Sequence, residues 1–126
     1  MWNIKNSLAY LNRNAKPKSI GKCAAYVRKA IEAGGLSTEG RPVAAYMYKD
    51  FLPKIGFIEI AEVTGRTKQN EWTSKNAKPG DIAVMSYGKY GHICMYNGKY
   101  WVSDYVQTGM WAYRGDGTCK IYRIKQ

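Results

Sequence analysis

Apolar positions in the first half of the chain recur at helical spacing. From Cys23 they fall at Tyr26, Val27, Ala30 and Ile31, the i, i+3, i+4, i+7, i+8 series of one helix face. Ser19 suits an N-cap and Gly34-Gly35 a stop, which predicts a helix running to about Ala33. Asn3 to Arg13 predicts a shorter helix, with Ile4, Leu8 and Leu11 on one side. Pro17 breaks the linker that follows. Pro42 fits the first turn of a third helix through Val43, Ala44, Tyr46, Met47 and Phe51, with Pro53 ending it.

The period then changes. Phe57 to Val63 is β-rich with partial alternation and reads as a strand. Gly65 to Lys78 is polar and aperiodic and reads as a long loop, closed by the turn signal Asn76-Ala77-Lys78-Pro79-Gly80-Asp81. Four strands are expected next, at Ile82–Tyr87, His92–Tyr96, Tyr100–Tyr105 and Lys120–Ile124. Asn97-Gly98 marks a hairpin. A strict two-residue turn there pairs Tyr96 with Lys99 and hence His92 with Ser103. Helices first and an antiparallel meander afterwards make an α+β fold, and 126 residues fit one domain spanning 1–126.

Charge narrows the partners. Twenty Lys plus Arg against nine Asp plus Glu give a net charge of +11. Such a field attracts polyanions, among them nucleic acid, anionic lipid and the anionic polymers of bacterial walls. No run of like charge or RNA-binding signature selects nucleic acid. No stretch approaches a membrane span, and the N-terminus lacks the apolar core of a signal peptide. A site of action outside the cytoplasm would then need another route of delivery. The single histidine excludes a multi-histidine metal centre, and no cofactor is expected. Three cysteines are an odd count that argues against a complete disulfide framework, although Cys94 and Cys119 remain able to pair in an oxidising compartment.

Cys23 at a helix start and His92 on a later strand are the parts of a cysteine hydrolase. The backbone N–H groups and positive end of the helix dipole favour a thiolate there. A histidine takes the thiol proton and later returns one to the leaving group, and a third polar group fixes the imidazole tautomer. Against this stands the common fate of a free cysteine, which is to be a small buried hydrophobe. Cys94 reads as core and Cys119 as structural. Trp72, Tyr87, Tyr90 and Trp111 fall in loops or at strand ends near the expected cleft, where they would stack on substrate or simply pack.

The local wording is more specific. Gly21-Lys22-Cys23-Ala24-Ala25-Tyr26-Val27 resembles the cysteine motif of CHAP domains, the cysteine- and histidine-dependent amidohydrolases/peptidases. Lys78-Pro79-Gly80-Asp81-Ile82 resembles the start of a strand in that family, and Tyr90-Gly91-His92-Ile93-Cys94-Met95-Tyr96 its histidine strand. Val102-Ser103-Asp104 lies where the family often carries Val-Ser-Glu. The order and spacing are also similar to NlpC/P60 peptidases. The four segments span residues 19 to 105.

The resemblance implies a papain-like fold with N-terminal helices packed on an antiparallel sheet. It also implies hydrolysis of an amide bond of peptidoglycan. Cys23 would be the nucleophile, His92 the base and acid, and Asp104 the orienting residue, with the Cys23 N–H in the oxyanion hole. Two positions depart from the pattern. Lys22 replaces the glutamine before the cysteine, and Val106 replaces an asparagine two residues after the acidic position. Gln107 is nearby but would point the other way along a continuous strand. The idealised hairpin turns Asp104 away from His92 and favours Ser103. Asp104 would need a loop one residue longer, or a bulge. Small size suits a phage lysin or an interbacterial amidase toxin delivered to the cell wall or periplasm, the latter with a cognate immunity protein. A deamidase or transglutaminase-like toxin on the same fold, or a basic nucleic-acid-binding module, are the alternatives.

Overall fold

The computed structural model describes all residues, 1–126. Helices α1 (Ile4–Asn14) and α2 (Cys23–Ala33) come first. Short helical turns follow, a 3₁₀ turn at Ala45–Met47, the single turn α3 (Tyr48–Phe51) and a second 3₁₀ turn at Leu52–Ile55. Then come β1 (Phe57–Thr64), α4 (Arg66–Asn76), β2 (Ile82–Met85), β3 (His92–Tyr96), β4 (Trp101–Val102) and β5 (Thr118–Ile124). The strands form one antiparallel sheet in the order β1-β5-β2-β3-β4. The α+β expectation, with helices on an antiparallel sheet, therefore holds.

Strand alternation builds a core on each face. Ile82, Val84, Ile93 and Met95 point toward α1 and α2, where they meet Leu11, Val27 and Ile31. Ala83, Met85, Cys94, Cys119 and Ile121 point the other way, under Trp101, Met110 and Trp111. With both faces covered, β2 and the first four residues of β3 are buried throughout. Trp2 closes the first core. Its indole donates to the Ile31 carbonyl (3.2 Å) and meets Phe57 edge-on. Gly34 is required there because a Cβ would lie 2.2 Å from the Trp2 Nε1.

Several elements differ from their sequence reading. Ser19 does not cap α2, whose N-cap position is Lys22 with no side-chain cap of its own. The third helix breaks into short turns, Pro42 stays outside it, and Pro53 sits inside the last turn, where no N–H is needed. Residues 66–76 form a helix rather than a loop. Only Gln69 of α4 is buried, so no apolar stripe betrays it. Polar bonds hold it instead. Gln69 Nε2 donates to the Val63 and Gly117 carbonyls (3.0 and 2.8 Å), and the Arg66 N–H donates to Asp116 (2.9 Å). The strand expected over Tyr100–Tyr105 stops at Val102. Trp72 packs against the second core and Trp111 is buried, so neither stands at the cleft.

Asp81 explains the turn motif ahead of β2. It is 1% exposed, accepts the Lys78 N–H (2.9 Å), and takes a two-pronged ion pair from Arg123 of β5 at 2.8 Å to each oxygen. The motif's acid is thus structural.

All three cysteines are free thiols. Cys94 pairs with Ala83 and Cys119 with Met85, so β2 separates them. Two strand spacings are roughly 10 Å, beyond the ~7 Å that a disulfide tolerates. Arg123→Ala, which leaves the Asp81 carboxylate buried without its counter-charge, is expected to cost about 3 kcal/mol in urea unfolding. Mass analysis after air oxidation and non-reducing alkylation in denaturant is expected to find Cys94 and Cys119 as thiols. A Cys94–Cys119 bridge would contradict this sheet order.

Candidate active site

Cys23 opens α2, and His92 opens β3. Both line one cleft of about 630 Å³, with Lys22, Tyr87, Tyr90 and Tyr113 among its walls. The Ile93 N–H, one residue beyond His92, is the group that most favours the ionised form of the Cys23 sulfur. The structure thus brings the two expected chemical residues together.

Glycine before the histidine has a steric cause. Gly91 has φ +70°, and a Cβ there would lie 2.5 Å from the Met85 carbonyl oxygen and 2.6 Å from the Tyr46 Cβ. The Tyr46 N–H donates to the Tyr90 carbonyl (3.1 Å), and the Tyr113 hydroxyl to the Gly91 carbonyl (2.9 Å). The Tyr113 ring also meets the His92 imidazole edge-on at 5.9 Å. These contacts fix the approach of the chain to His92.

The partner of His92 is neither Asp104 nor Ser103. Its Nε2 lies 2.7 Å from the Gln107 Oε1. The Gln107 amide nitrogen donates to the Gly109 and Met110 carbonyls (2.9 and 3.2 Å), so the oxygen must be the atom facing the ring. An amide oxygen accepts only, so Nε2 carries the proton and Nδ1 keeps its lone pair. The hairpin explains why Gln107, which alternation turns away, faces His92. Tyr96 pairs with Trp101, so the turn is two residues longer than the Asn97-Gly98 ideal and the facing of Asp104 does not change. After Val102 the chain doubles back, with Val106 bridging to Val102 and the Gln107 N–H donating to the Trp101 carbonyl (2.9 Å). A strand that reverses no longer obeys the alternation that turned Gln107 away. No feature of the sequence marks the reversal beyond Gly109 two residues on.

Asp104 serves the other half of the site. Its Oδ2 accepts the Ile20 and Lys22 N–H groups (2.8 and 3.0 Å) and the Ser19 hydroxyl (3.4 Å), while Oδ1 accepts the Ser103 hydroxyl (3.2 Å). The carboxylate caps the approach to α2 from outside the helix. Those backbone N–H bonds outweigh burial and hold its pKa below the usual carboxylate value.

Electrostatics overturn the expectation of a thiolate at the helix start. Burial pushes the Cys23 thiol above its ordinary value and the Asp104 charge adds to that, against the Ile93, Ala24 and Cys23 N–H groups. Burial also pulls His92 below its ordinary 6.5, despite Gln107 and Asp104. Near neutral pH the resting pair is a thiol and a neutral imidazole. The rate of iodoacetamide alkylation at Cys23 is accordingly expected to climb about tenfold per pH unit between pH 6.5 and 8.5. A plateau below pH 7 would instead reveal a resting thiolate–imidazolium pair. Cys94 and Cys119 are buried and do not compete.

No protein-family model and no curated protein matches the chain. Solved structures do. The chain is 32% identical to a chain of the type VI native effector–immunity complex Tae3–Tai3 from Ralstonia pickettii, with a TM-score of 0.78, over 98% of this chain and 100% of that one. The selenomethionine form of the complex gives 32% identity and a TM-score of 0.70, over 90% and 97% of the two chains. At this identity over the relative's whole length, the chain belongs to the Tae3 family of type VI effectors.

Proposed function

We propose that the protein is an interbacterial toxin that hydrolyses an amide bond of peptidoglycan, with Cys23 as nucleophile in a papain-like cysteine amidase. The observation that carries this reading is the pairing of Cys23 and His92 in one cleft, with Gln107 fixing the imidazole so that Nδ1 is the basic nitrogen. Membership of an effector family supports delivery by a type VI secretion system to a rival's wall. It also supports a cognate immunity protein as partner. No helix of the chain is long and apolar enough to cross a membrane.

The chemistry runs from the neutral pair. His92 Nδ1 takes the Cys23 proton as sulfur attacks the scissile carbonyl. The oxyanion meets N–H groups of the open first turn of α2, those of Cys23 and Ala24, which have no carbonyl a turn earlier to bond. The imidazolium gives its proton to the departing amine, and a thioester remains on Cys23. His92 then takes a proton from water, the hydroxide displaces the Cys23 thiolate, the imidazolium returns its proton to the sulfur, and an acid and the free enzyme result. Gln107 is a neutral positioning group that fixes the tautomer without the charge an aspartate would offer the imidazolium. Asp104 is a positioning group for the nucleophile's loop. The basic surface, net +11, would hold the enzyme on an anionic wall.

The test is digestion of purified sacculi, with released fragments identified by mass. Wild type is expected to cleave, and Cys23→Ala and His92→Ala to lose at least about a thousandfold in rate while keeping their fold. Gln107→Ala is expected to lose about tenfold to a hundredfold, with the His92 ring-nitrogen resonances shifted away from a single tautomer. A folded Cys23→Ala protein that still cleaves would refute the assignment. Failure of wild type on walls of several chemotypes would turn the search to protein amides.

A further inference from the structure

The cleft carries charge that the hydrolytic steps do not use. Lys22 and Lys89 both line it. Lys22 precedes the nucleophile in sequence, and Lys89 lies on the loop that leads into His92. Neither takes part in an ion pair, whereas Arg28, Lys120 and Arg123 are all paired with acids elsewhere on the fold. None of the chain's nine acidic residues lines the cleft. Asp104 lies nearest in sequence to that wall, and its Oδ2 is already taken by the Ile20 and Lys22 N–H groups. The Lys89 ammonium sits 5.4 Å from the centre of the exposed Tyr90 ring, which gives it a preferred place at the mouth.

A pocket with two ammonium groups outside any ion pair, tyrosine walls, and its nearest acid, Asp104, buried and bound to backbone N–H groups suits an anionic ligand with an apolar body. Resting on the hydrolase reading above, we propose that Lys22 and Lys89 are specificity residues that bind free carboxylate groups of the peptide stem beside the scissile amide. The substrate class is then a peptide whose carboxylates are ionised, and the same peptide with those groups converted to carboxamides is a poor ligand. Lys22 stands where the resembling cysteine motif has a glutamine, so the neutral amide of that position has become a cation in this chain.

Titration of Cys23→Ala protein with wall-derived muropeptides tests this, the stem carboxylates being free in one set and amidated in the other. NMR or calorimetry reads the affinity. The free form is expected to bind at least about tenfold more tightly, with the difference shrinking as salt rises. The difference is expected to close to about twofold when Lys22→Gln and Lys89→Gln are added, and to survive Lys22→Arg with Lys89→Arg. Equal affinity for the two forms, no binding of either up to millimolar peptide, or a preference that persists in the double glutamine variant would overturn the proposal. Both lysines are exposed, so unchanged thermal midpoints are expected to show that the variants fold. Cleavage of the same peptides by wild type is scored separately. A charge-dependent preference without cleavage would refute the hydrolase reading and leave the carboxylate site standing.

Discussion

One buried carboxylate holds the two halves of the site in register. Asp104 sits just beyond the last strand of the sheet, and the loop it binds belongs to the helix that carries Cys23. A charge removed from water survives only if its lone pairs are taken. Here two backbone N–H groups and two hydroxyls take them. The Asp104 carbonyl also accepts the Lys16 N–H at 2.7 Å, so the linker after α1 is tied to the same residue. Loosening that anchor would move Cys23 relative to the sheet while leaving each secondary element intact.

The anchor has an electrostatic cost. A negative charge at the start of α2 stabilises the helix and opposes ionisation of the thiol one turn away. The same charge favours a protonated His92, yet burial of the ring wins. A glutamine, not an acid, then faces the imidazole. Burial thus favours the uncharged form of both Cys23 and His92. Geometry, held by Gln107, Tyr113 and Gly91, stands in for the permanent ion pair.

Elements whose burial is one-sided or complete were legible in the sequence. The Cys23 helix, β2 and β3 follow from apolar spacing. The polar helix α4 was not legible, because hydrogen bonds through Gln69 and Arg66 hold it and these leave no periodic trace. A cleft shared by Cys23 and His92 agrees with the expectation from residue types and order. The hydrogen-bond partner of His92 does not. Its identity depends on a hairpin two residues longer than its Asn-Gly signal implies and on a reversal after Val102 that no local rule announces. Alternation reasoning correctly kept Asp104 from His92 and wrongly kept Gln107 away, since it holds only while a strand continues.

Burial of the Cys23 thiol bears on how long the protein stays usable. Peroxide and disulfide oxidants attack thiolates, and a thiol that is seldom ionised is attacked slowly. The other two sulfurs are sealed on either side of β2 and out of each other's reach. A move from a reducing to an oxidising medium would thus create no Cys94–Cys119 crosslink, and the one partly exposed sulfur, Cys23, would oxidise slowly. The desolvation that makes Cys23 a reluctant anion is also its protection against oxidation.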